Sequence, residues 1–247
     1  LRAQGVEHLD AQMLVLLALG RDPHDRAWLL SHDDQPLSEA LVKKLDALAA
    51  RRLAGEPMAY LRGEQGFFGL SLAVDARVLV PRPDTETLVA WALDLLPGLP
   101  AAPRVIDLGT GSDAIALALR QALPDADVTA TDASADALAV ARANADRLSL
   151  PVRCVKGGWL QAVPGETFDL IVSNPPYIAA GDLHLQQVLL QRQVAGGGEL
   201  GGFGGKGVGG CSRKGQGGEV EESAHDRFFP WLVTVPCRAV AGQGSRR

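Results

Sequence analysis

The stretch Val105-Ile106-Asp107-Leu108-Gly109-Thr110-Gly111-Ser112 decides the fold. Its apolar half reads as a short buried strand, and the two glycines behind it as a turn that lets backbone approach a ligand closely. An apolar helix follows, from about Asp113 to Leu123, and stops at Pro124. Strand, glycine turn and helix in that order imply an α/β fold with a parallel sheet.

Working outward, the alternation continues. The strand Val128-Thr129-Ala130-Thr131-Asp132 precedes a helix from Ser134 to about Leu148. The strand Val152-Arg153-Cys154-Val155 leads toward Trp159, and Phe168 to Ser173 forms a fourth strand ending in Asn174-Pro175-Pro176-Tyr177. Ligands of open α/β sheets bind at the carboxyl ends of the strands, where all these polar residues fall. Asp132, 25 residues after Asp107, is placed to bind a ribose diol. The dinucleotide fingerprint G-x-G-x-x-G is absent, since Ala114 stands where its last glycine would. An adenosyl ligand without a pyrophosphate fits this pattern, and S-adenosylmethionine is one.

The prolines stiffen the fourth strand's exit and restrict Asn174. That geometry suits alkylation of a planar, weakly nucleophilic amide or amine nitrogen. The Asn174 side-chain oxygen and the Pro175 carbonyl can accept its N–H groups, and Tyr177 offers a face for stacking. The plainer reading of the tetrapeptide is a tight Pro-Pro turn after a buried strand. The glycine loop, the second-strand acid and Asn-Pro-Pro-Tyr in sequence favour chemistry over that reading.

Upstream, residues 1–60 read as a small helical unit for docking or recognition. A compact apolar helix from Leu9 to Leu19 ends at Gly20, and Ser38 opens a second helix with Leu41, Leu45 and Leu48 on one face. Residues 61–82 read as a β-hairpin linker, and a helix begins within Pro81-Arg82-Pro83-Asp84-Thr85-Glu86 and runs to Leu96. The acids at that helix start favour the macrodipole whatever else they do.

Composition narrows the class. Of 247 residues, 47% are hydrophobic, and no apolar run approaches a membrane span. Three scattered cysteines, Cys154, Cys211 and Cys237, suggest neither a disulfide framework nor a metal, so a reducing cytoplasm is expected. The chain starts at Leu1, and no signal peptide is evident. Residues 188–247 hold 8 Lys and Arg against 5 Asp and Glu, leaving the first 187 with 16 against 24. An acidic body argues against direct nucleic-acid binding, which Lys and Arg contacts dominate.

Residues from about 5 to 185 resemble the release-factor glutamine methyltransferase family (PrmC/HemK). The resemblance rests on Gly55-Glu56-Pro57, Phe68-Gly69-Leu70, Pro81 to Glu86, Asp107 to Ser112 and Asn174 to Tyr177, with Pro-Arg-Pro-Asp-Thr-Glu the most specific string. It implies a Rossmann-like class I methyltransferase domain over residues 83–187, with a small N-terminal helical domain and a hairpin linker. It further implies transfer of a methyl group from S-adenosylmethionine to the glutamine side chain of Gly-Gly-Gln in bacterial peptide-chain release factors, by a cytoplasmic monomer.

Carried over by the resemblance, Asn174, Pro175, Pro176 and Tyr177 form the catalytic loop. Asp107, Gly109, Thr110, Gly111, Asp132, Trp159 and Asn174 bind the cofactor, while Arg82, Pro83, Asn174 and Tyr177 meet the substrate. Two alternatives stand beside this reading. One is a nucleic-acid adenine N6-methyltransferase, whose target nitrogen is chemically similar. The other is an inactive remnant that keeps a helical interaction domain.

Three departures from the family pattern stand out. Asp113 replaces a usual glycine, where it would cap the helix, repel the cofactor's carboxylate or crowd the loop. Gly158 replaces an acid near the adenine. After about Gln187 the pattern stops, and residues 196–218 contain 13 glycines in 23 positions. Such a stretch cannot bury enough surface to offset its ordering entropy. The abrupt loss of periodicity is read as an out-of-frame or otherwise corrupted end, 188–247, which re-reading the coding DNA would settle. The later strands of the sheet are then expected to be missing, leaving the fourth strand as an unprotected edge.

Overall fold

The computed structural model describes residues 1, 5–32, 34–95 and 99–174, together with the backbone of 232–234. These residues divide into two units, one of 1–65 with 73–80 and the other of 66–72 with everything from 81 onward.

Leucine spacing builds the first unit. Helices α1 (His8–Ala18) and α3 (Glu39–Leu53) pack Leu14 and Ala18 against Leu45, Leu48 and Ala49. Ser38 starts α3 by accepting the Leu41 amide at 3.3 Å, which satisfies one of the donors that a helix start leaves bare. Lys44 Nζ donates to the Ala18 carbonyl at 2.9 Å, placing a cation at the negative end of α1. Arg52 Nε donates to Asp10 Oδ2 at 2.7 Å.

Two short helices in this unit escape periodicity. Helix α2 (Arg26–Ser31) buries none of its residues and is started by Asp25, whose carboxylate accepts the Trp28 amide. Six residues without a buried face show no pattern that sequence spacing can detect. Helix α4 (Met58–Arg62) crosses the expected start of the hairpin linker and ends at Gly63, whose φ of 76° closes the turn in the left-handed region.

The hairpin itself consists of β1 (Glu64–Phe67) and β2 (Leu70–Ala73) around Phe68-Gly69. Both turn residues have positive φ, 48° and 79°, as a two-residue type I′ turn requires.

The second unit carries α5 (Asp84–Asp94), β3 (Arg104–Leu108), α6 (Ala114–Ala122), β4 (Asp127–Asp132), α7 (Ala135–Leu148), β5 (Arg153–Lys156), a 3₁₀ turn at Trp159–Ala162 and β6 (Leu170–Ser173). Strand β7 (Leu232–Thr234) completes a sheet of order β5-β4-β3-β6-β7. The first four strands of that order are parallel, and β7 runs antiparallel to β6. The expectation that the fourth strand would be left as an edge is therefore corrected. Backbone at Leu232–Thr234 pairs with Ile171 to Ser173, inside a segment whose composition promised no strand. The glycine-rich stretch 196–218 lies outside the described residues.

Helix α6 is buried at every position from Ala114 to Leu119, as a helix packed on all sides must be. It forms one core with Val105, Val128, Ala130, Leu170 and Val172 of the sheet. The chain leaves β3 toward β4 and β5, then returns to β6 on the other side of β3. That reversal opens a crevice at the carboxyl ends of β3 and β6. Among the described residues no helix is long and apolar enough to cross a membrane.

Candidate active site at the strand ends

Parallel pairing sets the strand ends level. Leu108 lies opposite Thr131 of β4 and Ser173 of β6, and Asp132 lies opposite Lys156 of β5. The residues that follow each strand therefore gather at one rim. Gly109, Asp132, Gly157 and Asn174 each stand at or just beyond a strand end.

Gly109 and Gly111 adopt φ of 73° and 57°, and a Cβ on either would project into open space. The loop is thus an open backbone cradle, and its conformation favours glycine. The Gly109 and Thr110 amides both donate to the Thr131 carbonyl, at 2.8 and 3.0 Å. Asp132 holds the next turn: Oδ2 accepts the Gly111 amide at 3.0 Å and Oδ1 accepts the Ser134 amide at 2.8 Å. Carboxylate oxygens carry spare lone pairs, so a half-buried Asp132 can serve this turn and still accept from a diol.

Beneath the loop the chemistry changes. Asp107 and Asp113 are both fully buried, at 0% exposure. Thr110 Oγ1 lies 2.7 Å from Asp107 Oδ2 and 3.0 Å from Asp113 Oδ1. Burial pushes Asp107 up to about 7 against the partial relief of the Thr110 hydroxyl. Burial, reinforced by the neighbouring Asp107, pushes Asp113 up to about 8. Asp113 sits at the start of α6 with φ 71°, yet its side chain makes no cap hydrogen bond. Of the readings that the sequence left open for this residue, harmless capping is not what the structure shows.

On the other side of the crevice, Ser173 Oγ donates to the Leu108 carbonyl at 2.8 Å, clamping β6 to β3 at the rim. Asn174 Nδ2 donates to Thr85 Oγ1 at 3.0 Å. Thr85 is buried in the first turn of α5, three residues beyond the exposed Arg82. The Pro-Arg-Pro-Asp-Thr-Glu string and the Asn-Pro-Pro-Tyr string, 89 positions apart, thus meet through one hydrogen bond. Arg82 and Pro83 are exposed at the head of the same helix. Pro175, Pro176 and Tyr177 lie outside the described residues.

Trp159 stands beyond β5 with φ 52°, an uncommon conformation for a bulky residue. It packs beside Ile106, Leu108, Val163 and Phe168. Gly157 before it allows no Cβ, which would fall 2.7 Å from the Ala162 Cβ.

Three residues received no role from sequence pattern, although Thr85 and Glu86 lie within the Pro-Arg-Pro-Asp-Thr-Glu string. Thr85 holds Asn174, and Glu86 Oε1 accepts the Phe68 amide at 2.8 Å, tying the hairpin turn to α5. Asn144, fully buried on α7, donates through Nδ2 to the Ser112 carbonyl at 3.0 Å and so fixes the glycine loop from below. A buried asparagine inside an otherwise apolar helical face is the only sequence signal for the last. Among the described residues, no group of His, Cys, Asp and Glu side chains could hold a metal.

Comparison with known proteins matches this architecture at both ends. Residues 1–63 match the PrmC N-terminal domain, and residues 91–200 match the methyltransferase small domain. The release factor glutamine methyltransferase of Bordetella pertussis is 56% identical over 184 residues, covering 74% of this chain and 67% of that protein. Its namesake in Xylella fastidiosa is 49% identical over 183 residues, covering 74% and 65%. In Escherichia coli the figure is 42% over 188 residues, covering 76% and 66%. The chain thus spans about two thirds of the length of the curated relatives it matches. Among solved structures, a methyltransferase from Pyrococcus furiosus aligns with a TM-score of 0.43 at 27% identity, covering 61% of this chain and 72% of that one. On the strength of the close sequence relatives, the chain belongs to the release factor glutamine methyltransferase family.

Proposed function

We propose that this chain transfers the methyl group of S-adenosylmethionine to the side-chain nitrogen of the glutamine in the Gly-Gly-Gln tripeptide of peptide-chain release factors. The observation that carries the reading is the Thr85–Asn174 hydrogen bond beside the open glycine cradle.

The residues fit the cofactor. Gly109 and Gly111 leave backbone uncovered, so a ligand can lie against it, and Asp132 stands at the adjacent strand end for a ribose diol. Asp107, Thr110 and the two glycines would border the methionine portion, and Trp159 would border the base. When bound, S-adenosylmethionine supplies an electrophilic methyl group on a sulfonium.

The chain's own contribution is positioning. Thr85 takes an N–H of the Asn174 amide, which leaves the Oδ1 end as the acceptor for the substrate. Asn174 Oδ1 and the Pro175 carbonyl would hold the two N–H groups of the glutamine amide, with Pro176 stiffening the loop and Tyr177 stacked on the amide plane. Held so, the nitrogen would present the lone pair perpendicular to its amide plane to the methyl group, whose bonding pair to sulfur would stay on the sulfur. Its surplus proton leaves to solvent, so no general base is required. Orientation and hydrogen bonds to developing charge supply the rate. Arg82 and Pro83 extend the substrate face, and the helical unit docks the release factor. The chain acts as a cytoplasmic monomer without a nucleic-acid contact.

The test is transfer of labelled methyl from S-adenosylmethionine to unmethylated release factor or to adenine-containing DNA, beside an Asn174→Ala control. Label on the release factor that the control loses is the expected result. Label on DNA instead would overturn the reading.

A further inference from the structure

The contacts under the glycine loop do not balance if both carboxylates are ionised. Thr110 Oγ1 lies within hydrogen-bond distance of Asp107 Oδ2 and of Asp113 Oδ1. A threonine hydroxyl has one proton and can donate it in one direction only. Two carboxylates and one hydroxyl proton leave one close oxygen pair without a hydrogen between them. The site is dry, since both acids are buried, and a repulsive pair there costs far more than in water. One further proton resolves the conflict.

We propose that Asp113 keeps that proton at neutral pH and acts as a positioning residue, in a directed chain from the Asp113 carboxyl to the Thr110 hydroxyl to the Asp107 carboxylate. The shorter contact, 2.7 Å, is the one on which the Thr110 hydroxyl donates, to Asp107. The longer, 3.0 Å, is the one that the Asp113 carboxyl supplies. The surroundings agree. Burial and the neighbouring Asp107 charge both push Asp113 up, whereas the Ala116 backbone amide favours the charged form of Asp107 and has no counterpart at Asp113. The facing groups offer it no neutralising partner: Asp107 on β3 is an acid that disfavours its charge, and Asp107 is itself disfavoured by Asp132 on β4. Cys154 on β5 is itself pushed up to about 11, by burial first and by Asp113 next. On α7, Arg142 acts on that thiol and donates to the Cys154 carbonyl, while Asp146 opposes it. Among the described residues, Asp113 Oδ2 has no hydrogen-bond partner that would stabilise a charge on it.

The consequence lies at the cradle. With the chain directed this way, Thr110 is locked on Asp107 and the loop carries one negative charge rather than two. Ionisation of Asp113 would break the chain and set a second charge under the loop, next to wherever an anionic ligand group approaches the α6 terminus. The cradle is therefore competent below about pH 8 and loses its order above it.

The experiment uses the whole chain and two readouts, the first without ligand. Infrared difference spectra between pH 7.5 and pH 9.5, above the range in which Asp107 takes up a proton, should show a protonated-carboxyl stretch in the unliganded protein that is lost on raising the pH. Asp113→Asn should lack that band, because its amide donates to Thr110 without titrating. The absence of the band from the native chain at pH 7, or its persistence in Asp113→Asn, would overturn the proposal. Calorimetric binding of S-adenosylmethionine is the second readout and rests on the cofactor reading above. Affinity in the native chain should fall ~10-fold per pH unit above the midpoint, the limit for one linked proton, and should stay flat in Asp113→Asn. A band with a flat affinity in both proteins would overturn the positioning role. A band with no binding at any pH would defeat the cofactor reading while the proton chain stands.

Discussion

The two ends of the central sheet treat charge in opposite ways. At the amino ends, Arg104 of β3 reaches Glu166 at 2.8 Å, Arg153 of β5 reaches the same carboxylate at 2.7 Å, and the Arg104 backbone amide donates to Asp169. Asp127 of β4 lies 3.6 Å from Arg104. Each of these three acids has a cation or a backbone donor and stands partly in water. The Arg153 side chain, with Arg104 assisting, holds Glu166 below its ordinary carboxylate range. At the carboxyl ends, Asp107 and Asp113 are buried together and raised, with no arginine between them. Paired, hydrated charge is what a fold uses for register and solubility. Buried, unpaired charge is costly, and its place is a functional site.

That contrast can be broken from the active end first. Asn174→Ala should reduce methyl transfer by about 10²–10³-fold, the range for losing a donor or acceptor aimed at the reacting group. Cofactor binding, which Asn174 shares with six other residues, should weaken far less than transfer, and a comparable loss in both would mean that Asn174 merely holds the rim together.

Asp113→Gly comes next. Burial raises the folded-state pKa of Asp113 from 3.8 to about 8, so between these values the folded chain holds a proton that the unfolded chain has released. Stability from this group is therefore full near pH 4 and falls as pH rises toward 8. Removing the carboxylate, and with it a non-glycine φ of 71°, should raise stability at pH 8 by roughly 2–4 kcal/mol and flatten that fall. Denaturant unfolding at pH 5 and pH 8 measures it, and an unchanged pH slope would contradict the burial argument.

Smaller still is Glu86→Ala, which leaves the Phe68 amide at the hairpin turn without its acceptor. A loss of about 1–2 kcal/mol is expected, read by thermal unfolding. The least effect belongs to the amino end. Glu166→Gln should leave methyl transfer unchanged and lower Tm only slightly, and the difference should shrink as salt is added. A large or salt-independent loss there would erase the distinction between the two ends.

Local pattern made the second unit readable because its elements are regular and its apolar runs are unambiguous. Strand β3, the glycine loop, α6, β4, α7 and β6 lie within a few residues of where spacing predicts them. Helices α2 and α4 were illegible because five or six residues cannot display a helical period, and α2 buries nothing. Strand β7 was illegible for a different reason. Its three residues sit in a segment without periodicity, and only the unsatisfied backbone of β6 gives them a partner.

What the sequence by itself determined is the order of chemical types along the chain: glycines after a buried strand, an acid after the next, and an amide before two prolines after the fourth. Residue spacing carries that information because strand and helix periods are local. Tertiary structure alone decided which distant groups meet. Thr85 reaches Asn174, Asn144 reaches the Ser112 carbonyl, and Asp113 turns away from capping α6 toward the Thr110 hydroxyl. Those partners are set by the packing of α5, α6 and α7 on the sheet. No local rule of spacing can report which buried side chain will face which.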